Sequence, residues 1–144
     1  MFKYLILGVI VFVLIFSGCS QKSSDQLVGS WVINNEKTVA EIAASDSWQN
    51  LSQEEKDLLP EVISEMAGDL KISFTQDELT TYIGSKTITV TYEVIDKSEK
   101  SRILQVKIDG QIVKLTITFL ENGLMNFKSD ATDDMDYYIW EKEK

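Results

Sequence analysis

Beyond Asp69 the chain alternates between apolar and polar side chains. "LKISFTQ" puts Leu70, Ile72 and Phe74 on one face. "TITVTYEV" sets Ile88, Val90, Tyr92 and Val94 against Thr87, Thr89, Thr91 and Glu93. A period of two with one apolar face predicts half-buried antiparallel sheet. The same pattern recurs in "ELTTYIG", "RILQVKID", "QIVKLTITF", "LMNFKS" and "DYYIWE", separated by short polar connectors such as "GSK", "DKSEK" and "ENG". Asp109-Gly110, between two of these runs, is a strong hairpin signal.

Upstream, "LVGSWVI" from Leu27 to Ile33 predicts a first strand, and Asn34 or Asn35 can cap the helix that follows. From Glu36 to Gly68 the period becomes helical. Val39, Ile42 and Ala43 share a face in the first part, and Leu58 or Leu59, Val62 and Met66 share one in the second. "SQEE" at Ser52 to Glu55 fits a capping box opening a second helix. Pro60 predicts a kink or a break in it, and Gly68 a stop.

The pattern therefore predicts a mainly β fold of eight antiparallel strands, with two helices inserted between strands 1 and 2. Short connectors favour an up-and-down barrel, which leaves no open edge. A two-sheet sandwich is the competing closure, although its Greek-key connections need longer crossovers.

Before the first strand the chain reads "MFKYLILGVIVFVLIFSGCSQKSSDQ": Lys3, an apolar run from Leu5 to Phe16, then small residues ending in Cys19. A run of this length is too short for a hydrocarbon core of about 30 Å, so residues 1–18 are expected to be a signal peptide rather than a permanent span. Phe16, Ser17, Gly18 and Cys19 resemble the lipobox of bacterial lipoproteins. The resemblance implies cleavage before Cys19 and lipidation of its thiol, with residues 19–26 as a lipidated tether and residues 27–144 as the domain. The implied location is the cell envelope: the outer membrane in a diderm, or the outer face of the plasma membrane in a monoderm. An ordinary secretory signal with a stray thiol is the alternative.

"LVGSW" at the head of such a meander resembles the Gly-x-Trp motif of the lipocalin and fatty-acid-binding superfamily. The resemblance implies a lipocalin-like barrel in which Gly29 permits close packing near the closed end and Trp31 plugs it. Lipocalins stack a basic residue of the last strand on that tryptophan, a place Lys142 could take here. Helices after the first strand resemble the pair that caps the mouth of fatty-acid-binding proteins.

Charge and composition narrow the chemistry. Without residues 1–18 the chain loses Lys3, leaving 13 basic against 23 acidic side chains, a balance of −10. That speaks against nucleic acid, whose binding depends on cations neutralising phosphates. The chain has no histidine and a single cysteine, so His-dependent triads and His-rich metal sites are excluded by composition. Asp130, Asp133, Asp134 and Asp136 form the densest carboxylate cluster, but lack the glycine and distal glutamate of a calcium loop, and a solvated hairpin explains them. Neither a cofactor nor a metal is expected, and the chain is not read as an enzyme.

The barrel interior remains. Its expected lining includes Phe74, Tyr92, Val106, Leu115, Ile117 and Phe119, together with Ile72, Ile88, Val90, Val94, Leu104, Ile108 and Val113, with Leu59 and Met66 bordering the mouth. Such a lining suits a small apolar ligand. The leading expectation is a membrane-anchored binder of one. The alternative is a protein-interaction module with a filled barrel, such as an envelope assembly factor, inhibitor or stress sensor, anchored through Tyr137, Tyr138 or Trp48. No particular protein partner is indicated.

Overall fold

The computed structural model describes residues 25–132 and 136–144. Cys19, the leader before it and Ser20 to Ser24 of the tether lie outside the described residues, as do Asp133 and Asp134.

Eight antiparallel strands form one closed barrel in sequence order: β1 (Gly29–Ile33), β2 (Leu70–Phe74), β3 (Glu78–Ile83), β4 (Lys86–Lys97), β5 (Ser101–Ile108), β6 (Gln111–Phe119), β7 (Leu124–Ser129) and β8 (Ile139–Lys142). Closure comes from β1 against β8, with Trp31 opposite Lys142 and Ile33 opposite Trp140. Between β1 and β2 lie helix α1 (Asn35–Ala44), a short 3-10 turn (Asp46–Asn50) and helix α2 (Gln53–Asp69).

Local chemistry sets the helix boundaries. The Asn34 side chain accepts from the Lys37 amide, and Ser52 and Glu55 form the reciprocal capping box. α2 is one helix running through Pro60 rather than two pieces. Gly68 does not stop it. The Leu70 amide still donates to the Met66 carbonyl while Leu70 itself is extended, so the chain passes into β2 without a left-handed residue.

The buried face of α2 differs from the expected one. Ile63 is its buried residue, with Leu59 and Ala67 packed beside the core one turn to either side. The stripe Leu58, Val62 and Met66 is exposed instead. Both stripes have the i, i+4 spacing of one helical face, so periodicity alone cannot choose between them.

Antiparallel order gives the barrel two distinct ends. One gathers the start of β1, the end of β2, the β4–β5 turn and the β6–β7 turn. The other carries both helices, α1 packing on β8 and α2 on β2. The core between them includes Trp31, Phe74, Leu104, Val106, Ile117, Met125 and Trp140.

Three residues assigned inward by alternation are exposed. Ile88 and Ile108 lie at the helix-bearing end, on strands the helices do not cover, and Ile88 is 54% exposed. Val94 sits at a register shift between Val94 and Asp96, where an extra residue bends β4.

Candidate functional site

At the end away from the helices the barrel is stoppered by the residues just before β1. Leu27 is buried there, and its carbonyl accepts from Trp31 Nε1 at 2.9 Å. Lys142 Nζ lies 5.4 Å from the centre of the Trp31 ring. Gly29 has φ +134°, and a Cβ there would come within 3.1 Å of Lys142 Cε, so a glycine serves both the backbone conformation and the close approach.

Asp25, a tether residue by sequence, is held by this end. Its carboxylate accepts from Arg102 Nε at 3.1 and 3.2 Å, from Lys97 Nζ at 2.9 Å and from the Leu27 amide at 3.0 Å. Arg102 is 5% exposed, donates to the Ser98 and Ser101 carbonyls, and stands over the Phe119 ring. Partial burial alone would raise the Asp25 carboxyl. The hydrogen bonds from Arg102, Lys97 and Leu27 outweigh it and hold the carboxyl well below the usual range. Arg102 has the inward parity of Leu104 and Val106 on β5, and the bulge in β4 brings Lys97, rather than Asp96, opposite it. Alternation places Arg102 on the inner face of β5 but does not place Lys97, since a bulge reverses the parity of everything after it on its own strand.

Tyr92 belongs to the same end. Its hydroxyl donates to the Thr75 carbonyl at 2.6 Å, and burial, with the nearby Asp25 and Asp77 charges, pushes its pKa up to about 12. Phe74 meets it edge-on. Thus the polar tip of the expected lining is already engaged. Phe74, Val106, Leu115, Ile117 and Phe119 are all buried and packed into the core with Tyr92.

The helix-bearing end is built differently. A cleft of about 490 Å³ opens between the C-terminal half of α2 and strands β2 and β3, lined by Glu65, Met66, Asp69, Leu70, Thr81 and Ile83. Leu70, Thr81 and Ile83 share the inward parity of Ile72 and Leu79, so the cleft lies on the mouth of the barrel and not on its outer wall. Ile88 stands opposite Thr81 on β4 and extends the apolar rim. Of the two residues expected at the mouth, Met66 lines the cleft and Leu59 packs against the core beneath α2.

Met66 also meets Tyr138, whose hydroxyl lies 3.4 Å from Met66 Sδ. Two residues on, Trp140 is fully buried on β8. Its Nε1 and Asp136 Oδ1 are buried side-chain polar atoms without a hydrogen-bond partner among the described residues. Asp136 lines a separate cleft, with Glu41, Thr118, Asn126 and Lys128, on the outer side of β6 and β7. Among the described residues no three His, Cys, Asp or Glu side chains group as metal ligands.

The architecture defines a closed eight-stranded antiparallel barrel with a stoppered end and a helix-covered mouth. No family model matches the chain, and neither a curated protein nor a solved structure matches it.

Proposed function

We propose that this chain is an envelope lipoprotein, anchored through Cys19, whose lipocalin-like barrel binds a small apolar ligand at the helix-covered mouth. The observation that carries the reading is the cleft under α2. Its size falls within the range of small-molecule sites, roughly 300–1,000 Å³, and it is bordered by aliphatic side chains that the fold leaves in water. Met66 and Ile83 line it, Ile88 stands opposite Thr81 at the rim, and all three are exposed, as are Leu58 and Val62 earlier on the same stripe of α2. Clustered apolar exposure of this kind marks a surface that something covers. The ligand would lie across Leu70 and Ile83, desolvated by Met66, and be held by the hydrophobic effect. Phe74, Val106, Leu115 and Ile117 support the site from below as packed core.

A protein-interaction module is the second reading, favoured by Tyr137 and by Ile112 on the outer face of β6, both exposed. Native mass spectrometry of the full chain released from bacterial membranes separates the two. A reproducible apolar adduct that is lost in Ile83→Asp is the expected result. A clean apo mass that also takes up no added hydrocarbon or lipid would overturn the ligand reading and favour a protein partner.

A further inference from the structure

Trp31 and Trp140 occupy comparable buried positions, yet only one has its indole N–H engaged. Trp31 Nε1 donates to the Leu27 carbonyl at 2.9 Å, whereas Trp140 Nε1 finds no acceptor among the described residues although the side chain is 0% exposed. Leaving a buried donor unpaired costs roughly 1–3 kcal/mol, so native structures rarely leave one idle. Its position is informative. Trp140 is the second residue of β8, counted from the mouth, and it faces the interior opposite Ile33 and Met125. Tyr138, of the same parity two residues nearer the mouth, rests on Met66, and Met66 lines the cleft. The contacts run from the cleft through Met66 to Tyr138 and end on the segment that carries Trp140, so a ligand reaches the indole only if Met66 and Tyr138 move aside.

Charge then selects the ligand class. The cleft carries Glu65 and Asp69, and no lysine or arginine lines it. Arg102, the buried cation among the described residues, belongs to the opposite end and is paired with Asp25. A carboxylate brought to Trp140 would be buried without a counter-ion and would pass two like charges, at a cost that one indole hydrogen bond does not offset.

We propose that the Trp140 indole N–H is the polar anchor of the mouth site, and that its ligand is an uncharged lipid carrying a carbonyl or ester at its buried end. This rests on the ligand-binding reading above. The apolar chain would occupy the cleft along Leu70 and Ile83, and the carbonyl oxygen would accept from Nε1.

The test uses the full-length chain in lipid nanodiscs, with the ¹⁵N–¹H signals of the three indoles, Trp31, Trp48 and Trp140, recorded against 2-undecanone, undecane and laurate. Partitioning into the bilayer is common to wild type and variant, so it cancels from their comparison. The expected result is a downfield shift of the Trp140 signal with the ketone only. Ketone binding should also weaken roughly three- to tenfold in Trp140→Phe, the equivalent of one net hydrogen bond, while undecane binding stays unchanged. Should Trp140→Phe not fold, the wild-type shift still decides. Ketone and alkane binding alike, with the Trp140 signal unmoved, would overturn the anchor and leave the ligand reading standing. Laurate binding as tightly as the ketone would overturn the uncharged class. Failure of both ketone and alkane to bind would overturn this inference and the reading beneath it.

Discussion

Asp25 gathers in one carboxylate the ties that close the stoppered end: Arg102 and Lys97 from neighbouring strands and the backbone of its own turn. Because the folded state lowers its pKa below the ordinary 3.8, its contribution is full above that value and is lost as pH falls through the folded value. Asp25→Asn keeps the shape but removes the counter-ion of a buried guanidinium. The expected loss is roughly 1.5–3 kcal/mol at pH 6 by urea unfolding, with partial exposure of Asp25 favouring the lower figure. At pH 2 to 3 the gap between wild type and variant should narrow. A gap independent of pH would show that the carboxylate charge contributes nothing. None of this was legible in "SQKSSDQ", where Asp25 is one polar residue among seven. The strand at "LVGSWVI" was legible from its residues, whereas the places of Gly29 and Trp31 at this end were expected only through a three-residue motif resemblance.

The strands were the most legible elements. "QIVKLTITF" and "LMNFKS" have the bounds that their alternation gives, since a half-buried strand must repeat every two residues. The helices were legible in existence but not in orientation, and α1 shows why. Its most buried residue is Thr38, which no apolar pattern would choose. Thr38 Oγ1 accepts from the Ile139 amide at 3.0 Å and lies 3.4 Å from the Ile139 carbonyl, which also accepts from the Asn34 amide at 2.8 Å. The hydroxyl thus stitches α1 to the first residue of β8, where the barrel closes. Thr38→Val preserves the volume and leaves the Ile139 amide unpaired. It should cost roughly 1–3 kcal/mol and speed hydrogen exchange at Ile139 and along α1 before the rest of the barrel. Uniform acceleration across all strands would show that α1 is not a separately mobile cover. That result would also weaken any route to Trp140 that depends on moving the helices.

At the scale of the whole molecule, the two ends face different surroundings under the proposed anchoring. Asp25 is fixed at the stoppered end, and Cys19 precedes it by six residues, a reach of at most about 20 Å. The barrel adds roughly another 20 Å along its axis, given strands of about seven residues on average at the usual tilt. A lipid on Cys19 would therefore hold the stoppered end against the headgroups and turn the mouth, with Ile83 and Ile88, away from the bilayer. The negative charge of the chain works in the same direction, since an acidic barrel does not lie flat on an anionic surface. Fluorophores on Glu99→Cys, in the β4–β5 turn of the stoppered end, and on Ser85→Cys, in the β3–β4 turn at the mouth, measure the orientation. Spin-labelled lipid should quench the first strongly and the second weakly. Equal quenching would mean that the barrel lies on its side, and stronger quenching at Ser85 would invert it. The distinction bears on how a ligand arrives: a mouth turned away from its own bilayer must load from the aqueous side or from a facing membrane. A mouth pressed onto the bilayer would instead draw its lipid directly from the leaflet beneath it.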